Sequence, residues 1–136
     1  DVVIDEHVLG KLEINQKILS PGMKYRHYAP KAKCILVYSK DNLKMINKIN
    51  EVLHEYNNPV VIACTENIKM YNIKNKIDIG SKENLEEISK NLFTDLRKVD
   101  KYNPDIVIIE GVNKSGMGLA IMNRLIRACE YNYIEI

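Results

Sequence analysis

The sequence predicts an α/β fold with a mainly parallel sheet, and three observations support that prediction. Apolar runs of strand length recur at residues 34–38, 60–64 and 106–109. Between them lie stretches whose apolar residues recur every three or four positions, as on one face of a helix. Buried strands that alternate with amphipathic helices are typical of a parallel sheet covered on both faces. We therefore expect a Rossmann-like α/β/α sandwich, preceded by an extended linker.

The individual elements follow one another from residue 34 onward. The first strand, at 34–38, leads to Asp41, a residue type that often caps a helix, and to the apolar stripe Met45, Ile46, Ile49, Val52, Leu53 and Tyr56. A second strand at 60–64, a short helix ending at residue 70 and a third strand at 77–79 come next. Ser81 is expected to cap a long helix with the stripe Leu85, Ile88, Leu92, Phe93, Leu96 and Val99. A strand at 106–109, a loop at 111–118, a helix at 119–129 and an edge strand at 133–136 complete the chain.

Composition describes an ordinary soluble globular protein. Of the 136 residues, 46% are hydrophobic and 28% charged, and the 20 basic and 18 acidic residues give a net charge of +2. That balance neither demands nor excludes nucleic acid. No apolar run approaches the ~20 residues that cross a bilayer, so no membrane partner is expected. Cys34, Cys64 and Cys129 lie in apolar stretches, which favours buried free thiols and a reducing, cytoplasmic compartment.

No arrangement of residues predicts a metal site or a catalytic centre within this chain. The three histidines, His7, His27 and His54, lie in a tail, a loop and a helix, and none shares a ligand spacing with a cysteine or carboxylate. The serines have the positions of turn, cap and surface residues. We therefore expect neither a cofactor nor a catalytic residue in this chain.

A glycine-bearing loop between the fourth strand and the last helix permits two interpretations. Gly111, Gly116 and Gly118 lie where backbone N–H groups at a helix start can hold an anion. The spacing of Gly111 and Gly116 matches half of a P-loop, but Met117 and Gly118 stand where that motif requires Lys and Ser or Thr. Either the loop binds an anion, or the glycines serve only a tight turn.

The segment at 20–33 has a proline near each end, Pro21 and Pro30, and is rich in cationic and ring-bearing side chains. Its cations are Lys24, Arg26, Lys31 and Lys33, and its rings are Tyr25, His27 and Tyr28. Cations suit phosphates, and rings can cover a base or a small apolar group. A free linker would favour Gly, Ser, Glu or Gln over such residues. We interpret the segment as an extended loop that lies on another surface, in preference to a solvated basic linker.

The same segment carries a family resemblance. The run Ser20-Pro21-Gly22-Met23-Lys24-Tyr25-Arg26-His27-Tyr28-Ala29-Pro30-Lys31-Ala32 resembles the signature linker of Sua5-type threonylcarbamoyl-AMP synthases. Later stretches, at 80–97 and 110–125, resemble the long helix and the closing loop and helix of that family. Met117 and Ser89 are mild departures, since the family usually has Leu and Ala there.

The resemblance implies a division into three parts and a role within a larger enzyme. Residues 1–19 would be the tail of a YrdC-like catalytic domain or a connector, 20–33 the linker motif, and 34–136 the C-terminal Sua5 domain. The whole enzyme would join L-threonine, bicarbonate and ATP, with Mg²⁺, into threonylcarbamoyl-AMP and pyrophosphate. Separate partner proteins would then transfer the threonylcarbamoyl group to tRNA, so that tRNA is an indirect partner.

For the linker, the resemblance and the loop chemistry together suggest a lid on the active site. We expect Lys24 and Arg26 to lie near phosphates or carboxylate, and Tyr25, His27 and Tyr28 to line the cover. Two other readings stay open: a stand-alone Rossmann-like module that binds a nucleotide or anion at the glycine loop, and an RNA-binding domain that uses the basic segment.

Overall fold

A computed structural model describes residues 30–136, which form a five-stranded sheet with helices packed against it. The strands are β1 (Cys34–Tyr38), β2 (Pro59–Ala63), β3 (Asn75–Asp78), β4 (Ile106–Glu110) and β5 (Tyr133–Glu135). Their order across the sheet is β3-β2-β4-β1-β5, and every neighbouring pair is parallel. The predicted α/β fold with a parallel sheet is therefore confirmed.

Three helices cover the sheet: α1 (Asn42–Leu53), α2 (Leu85–Lys98) and α3 (Met117–Ala128). The connections from β1 to β2 and from β4 to β5 run in opposite directions across the sheet. Right-handed crossovers therefore place α1 on one face and α2 and α3 on the other, and α2 does contact α3. Short 3₁₀ turns at Ile68–Met70 and Val99–Tyr102 complete the connections.

The core follows from strands that are apolar on both faces. All residues of β1 and β4 are buried, and β2 is buried from Val60 onward. A strand covered on both sides cannot alternate polar and apolar side chains, which explains the continuous apolar runs. The one charged residue within these three strands is Glu110, at the carboxyl end of β4.

The structure corrects two predicted boundaries. Ser81 does not cap α2; its hydroxyl donates to Glu66, and Asn84 is the N-cap instead, accepting from the N–H of Glu87 at 3.2 Å. The third strand begins at Asn75, two residues before the prediction, because it is an edge strand whose Asn75 and Lys76 are only half-buried and lack an apolar signature. No helix among residues 30–136 is long and apolar enough to cross a membrane.

The N-cap of α1 offers a test of local stability. The Asp41 carboxylate accepts hydrogen bonds from the N–H groups of Leu43 and Lys44, at 3.1 and 3.2 Å. Asp41→Ala should lower the free energy of unfolding by about 1 kcal/mol, because two helix-start donors lose their partner. Asp41→Asn keeps an acceptor and should cost much less in the same urea titration. Equal losses in the two variants would show that the cap does not stabilise the helix.

Candidate functional site

A crevice of about 290 Å³ opens at the carboxyl ends of β1, β2 and β4. In the sheet order, β1 and β4 are neighbours whose following connections leave in opposite directions. Parallel α/β sheets form a ligand crevice at such a point, because the two loops separate there. Tyr38 and Ser39 line one side of the crevice, and Glu110 to Asn113 line another.

The buried carboxylate of Glu110 organises this crevice. Its side chain is only 4% exposed, yet it accepts hydrogen bonds from three groups of one segment. The backbone N–H of Cys64 donates at 3.0 Å, the amide of Asn67 donates at 3.1 Å, and the hydroxyl of Tyr71 also donates. None of the ion pairs among residues 30–136 involves Glu110, so hydrogen bonds alone compensate its burial within this part of the chain.

A pair of asparagines extends the network to the start of α1. The side-chain amide of Asn67 donates to Asn42 at 2.8 Å, and that of Asn42 donates to Asn67 at 3.0 Å. Because Asn67 also bonds Glu110, the amide pair connects the carboxyl end of β4 to α1. The crevice wall is therefore held by polar contacts between segments that are distant in sequence.

The Cys64 thiol and the Tyr71 hydroxyl, both close to Glu110, stay protonated at neutral pH. Burial, followed by the neighbouring Glu110 carboxylate, raises the pKa of the Cys64 thiol to about 12. The same two causes raise the pKa of Tyr71 well above its usual value. Cys64 is thus a poor nucleophile, since the thiolate is the reactive form, and the Tyr71 hydroxyl remains a donor.

The rim of the crevice carries two exposed lysines, Lys40 and Lys82. Glu66 fixes the segment that holds Lys82, because its carboxylate accepts from the Ser81 hydroxyl and, at 3.0 Å, from the N–H of Lys82. These two bonds, in that order, lower the pKa of Glu66 to about 2. The Glu66 carboxylate is therefore ionised at neutral pH and can accept both hydrogen bonds.

In the glycine loop, the structure gives two of the three glycines a steric role. A Cβ on Gly118 would lie 1.7 Å from the carbonyl oxygen of Asn113, and one on Gly111 would lie 2.9 Å from the Cβ of Tyr38. Gly116 adopts φ +56°, a left-handed value that glycine accepts readily. Close packing and a turn explain these residues; anion binding at Gly111, Gly116 and Gly118 stays a prediction.

The proposed lid residues, Lys24, Tyr25, Arg26, His27 and Tyr28, lie outside the described residues. The structure does show where the chain enters the domain. Pro30 is buried, and the N–H of Lys31 donates to the carboxylate of Asp100 at 3.1 Å. Asp100 follows α2 and lies near the amino ends of the strands. The linker therefore joins the domain at the end of the sheet opposite the crevice, which lies at the carboxyl ends.

Sequence reasoning missed Glu110, Asn67 and Tyr71 as a site. The available signal was a carboxylate that directly ends an apolar strand, where burial of the charge is expected. Its partners could not be found, because they lie 39 to 46 residues away in sequence. Among residues 30–136, no cluster of three or more His, Cys, Asp or Glu side chains could hold a metal ion.

Comparison with known proteins assigns the family. Residues 2–129 match the sequence model described as "Threonylcarbamoyl-AMP synthase, C-terminal domain". The chain belongs to this family. It is similar to the threonylcarbamoyl-AMP synthase of Pyrococcus abyssi, with 34% identity over 96% of this chain and 40% of that protein. It is also similar to the Bacillus subtilis protein of that name, with 31% identity over 90% of this chain and 37% of that protein.

Solved structures agree with the assignment. P. abyssi Sua5 complexed with L-threonine matches with a TM-score of 0.69 and 37% identity, over 85% of this chain and 33% of that one. The C-terminal Sua5 domain of a Pyrococcus horikoshii protein matches with a TM-score of 0.60 and 38% identity, over 79% of this chain and the whole of that one. The chain thus spans about two fifths of the length of the curated relatives, and its C-terminal Sua5 fold is shown.

The Glu110 network can be tested through Tyr71. Tyr71→Phe removes one donor to a buried carboxylate and should lower the free energy of unfolding by about 1.5–3 kcal/mol. Tyr56→Phe is a matched control, because no hydrogen bond of the Tyr56 hydroxyl is found within residues 30–136. Urea unfolding should leave that control within about 0.5 kcal/mol of the wild type. A Tyr71→Phe loss no larger than the control's would exclude a stabilising bond to Glu110.

The packing of the glycine loop provides a second test. Gly118→Ala places a methyl group against the Asn113 carbonyl and should cost about 3 kcal/mol or more, since backbone must shift. Gly116→Ala meets nothing within 4 Å, but its φ of 56° with ψ of −128° is a backbone conformation almost reserved for glycine and should cost about 1–3 kcal/mol. Thermal unfolding of the two variants measures both losses of stability. A larger loss at residue 116 would contradict the described packing.

Proposed function

We propose that this chain serves a threonylcarbamoyl-AMP synthase, in which a YrdC-like domain of the same polypeptide performs the chemistry. The family match over residues 2–129 carries this proposal. The reaction would consume L-threonine, bicarbonate and ATP with Mg²⁺, and would release pyrophosphate. The product would pass to proteins that modify tRNA in the cytoplasm. The described residues would contribute support and control, because no catalytic set is found among them.

The linker would act as a lid on the active site of the catalytic domain. Threonylcarbamoyl-AMP is a mixed anhydride, and its carbamate precursor decomposes readily, so both need protection from water. Lys24 and Arg26 would neutralise phosphate or carboxylate groups, while Tyr25, His27 and Tyr28 would cover the mouth of the site. Closure and opening of such a lid can limit the rate of turnover.

The attachment of the linker to the domain favours this role. Buried Pro30 and the bond from the Lys31 N–H to Asp100 fix the point from which the linker departs. A lid hinged on a folded domain has fewer conformations to lose on closing than a free tail has. The C-terminal domain would therefore provide the fixed end of the lid.

Two of the matched structures support parts of this proposal. One is the P. abyssi protein complexed with L-threonine. Another is a variant of that protein in which adjacent histidine and tyrosine residues are replaced by alanine. This chain has a single His-Tyr dipeptide, His27-Tyr28, so the same pair of residue types stands within the proposed lid.

The lid is tested by substitution in the full-length enzyme. Tyr25→Ala, Arg26→Ala and Tyr28→Ala, combined, should lower the rate of adenylate formation by about 10- to 100-fold, because the substrates are misplaced and exposed to water. Pyrophosphate release in the presence of L-threonine and bicarbonate measures that rate. Lys90→Ala is the control, since it removes an exposed cation of α2, outside the linker. Full activity of the triple variant, with unchanged thermal unfolding, would refute the lid.

A further inference from the structure

The crevice at the carboxyl ends of the strands has a polarity that selects one kind of ligand. Its floor holds the Glu110 carboxylate, which is buried and has no ion-pair partner among residues 30–136. Its rim holds two exposed lysines, Lys40 and Lys82, and one exposed carboxylate, Glu83. A ligand that enters therefore meets a net positive charge at the mouth and a negative charge at depth.

This polarity excludes several simple ligands. A bare anion would be attracted by the lysines but repelled by Glu110, and the repulsion is stronger where water is excluded. A polyphosphate chain that reached the floor would meet the same repulsion. A simple cation would suit Glu110 but would leave the lysines without a partner. With Glu83 also at the rim, the ionisable groups of the lining sum to zero charge, so a ligand with no net charge fits best.

The other residues that line the crevice favour a small polar ligand with an apolar part. Asn67 and Asn42 present side-chain amides beside Glu110, and the buried side chains of Met45, Ile79 and Ile88 form an apolar wall. The crevice volume of about 290 Å³ gives room for on the order of ten non-hydrogen atoms, at the ~30 Å³ that a water molecule occupies in the liquid. Ligand sites commonly combine such an apolar wall with a few polar groups.

We propose that this crevice binds a zwitterion of amino-acid size, with its ammonium group at Glu110 and its carboxylate towards Lys40 and Lys82. The three donors already on Glu110 hold its carboxylate in place, so that the site is formed before the ligand arrives. The ammonium group would supply the positive charge that the buried carboxylate lacks, and the ligand side chain would lie on the apolar wall.

This site is separate from the point at which the linker enters the domain. The linker enters the domain beside Asp100, at the amino ends of the strands, whereas the crevice lies at their carboxyl ends. A five-residue strand spans about 16 Å at ~3.3 Å per residue. The zwitterion would therefore be a ligand of the C-terminal domain itself, whether or not the lid proposal holds.

Titration calorimetry of the 136-residue chain provides the test. The probes are the free L-amino acids, their methyl esters, which lack the carboxylate charge, and their N-acetyl forms, which lack the ammonium charge. At least one free amino acid should bind with a Kd below about 1 mM, and its ester and N-acetyl forms should bind at least about tenfold more weakly. Inorganic phosphate and AMP should bind no better than the N-acetyl forms.

Variants of the rim locate the binding without disturbing the core. Lys40→Glu with Lys82→Glu should weaken the amino acid on the order of tenfold, because both changed residues are exposed and face its carboxylate. Lys74→Glu, an exposed change outside the crevice lining, should leave the affinity unchanged. Amide shifts at Val112 and Asn67 in NMR spectra should report the same saturation.

Three results would overturn the proposal. The first is the absence of binding by every free amino acid at 10 mM, a concentration about tenfold above the expected Kd. The second is equal binding of the N-acetyl forms or of phosphate, which would show an anion site instead. The third is an affinity that the double lysine variant does not change. Because none of these readouts requires adenylate synthesis, they do not depend on the lid or on catalysis.

Discussion

The hydrogen bonds to Glu110 connect segments that the chain order keeps apart. The carboxylate ends β4, in the middle of the sheet, and its donors all come from the connection that follows β2. Placing a charge there costs several kcal/mol unless donors surround it. Once they do, the connection is fixed, Asn67 can hold Asn42, and the crevice between β1 and β4 acquires a rigid wall. The shape of the site therefore depends on one buried carboxylate.

Much of the fold could be predicted from the sequence, because its central strands are covered on both faces. The runs at β1, β2 and β4 are apolar throughout, and no amphipathic helix would produce such runs with turn residues at their ends. The prediction was less accurate at β3, where Asn75 and Lys76 lie at a half-exposed edge. The start of α2 was also misplaced, because Ser81 and Asn84 are both good caps and only tertiary contact with Glu66 distinguishes them.

The candidate site was harder to predict than the fold. The linker residues at 24–28 were proposed from composition and family resemblance, both of which are local signals, and they lie outside the described residues. The crevice has one local signal, the carboxylate of Glu110 at the end of an apolar strand. Asn42 begins α1 and Asn67 lies in the connection after β2, and neither stands out in its own stretch. What brings them together is the strand order, in which β4 lies between β1 and β2. That order requires long-range pairing, which residue spacing does not encode.

β1 has neighbours on both sides, β4 and β5, and it extends from the entry of the linker to the wall of the crevice. Its first residue, Cys34, follows the anchored Lys31 closely, and Ser39 directly follows its last residue, Tyr38. Because β1 is hydrogen-bonded along both edges, its backbone is held in register with β4 and β5. The crevice and the entry of the linker therefore lie at opposite ends of one strand, and the pairing of β1 sets the distance between them.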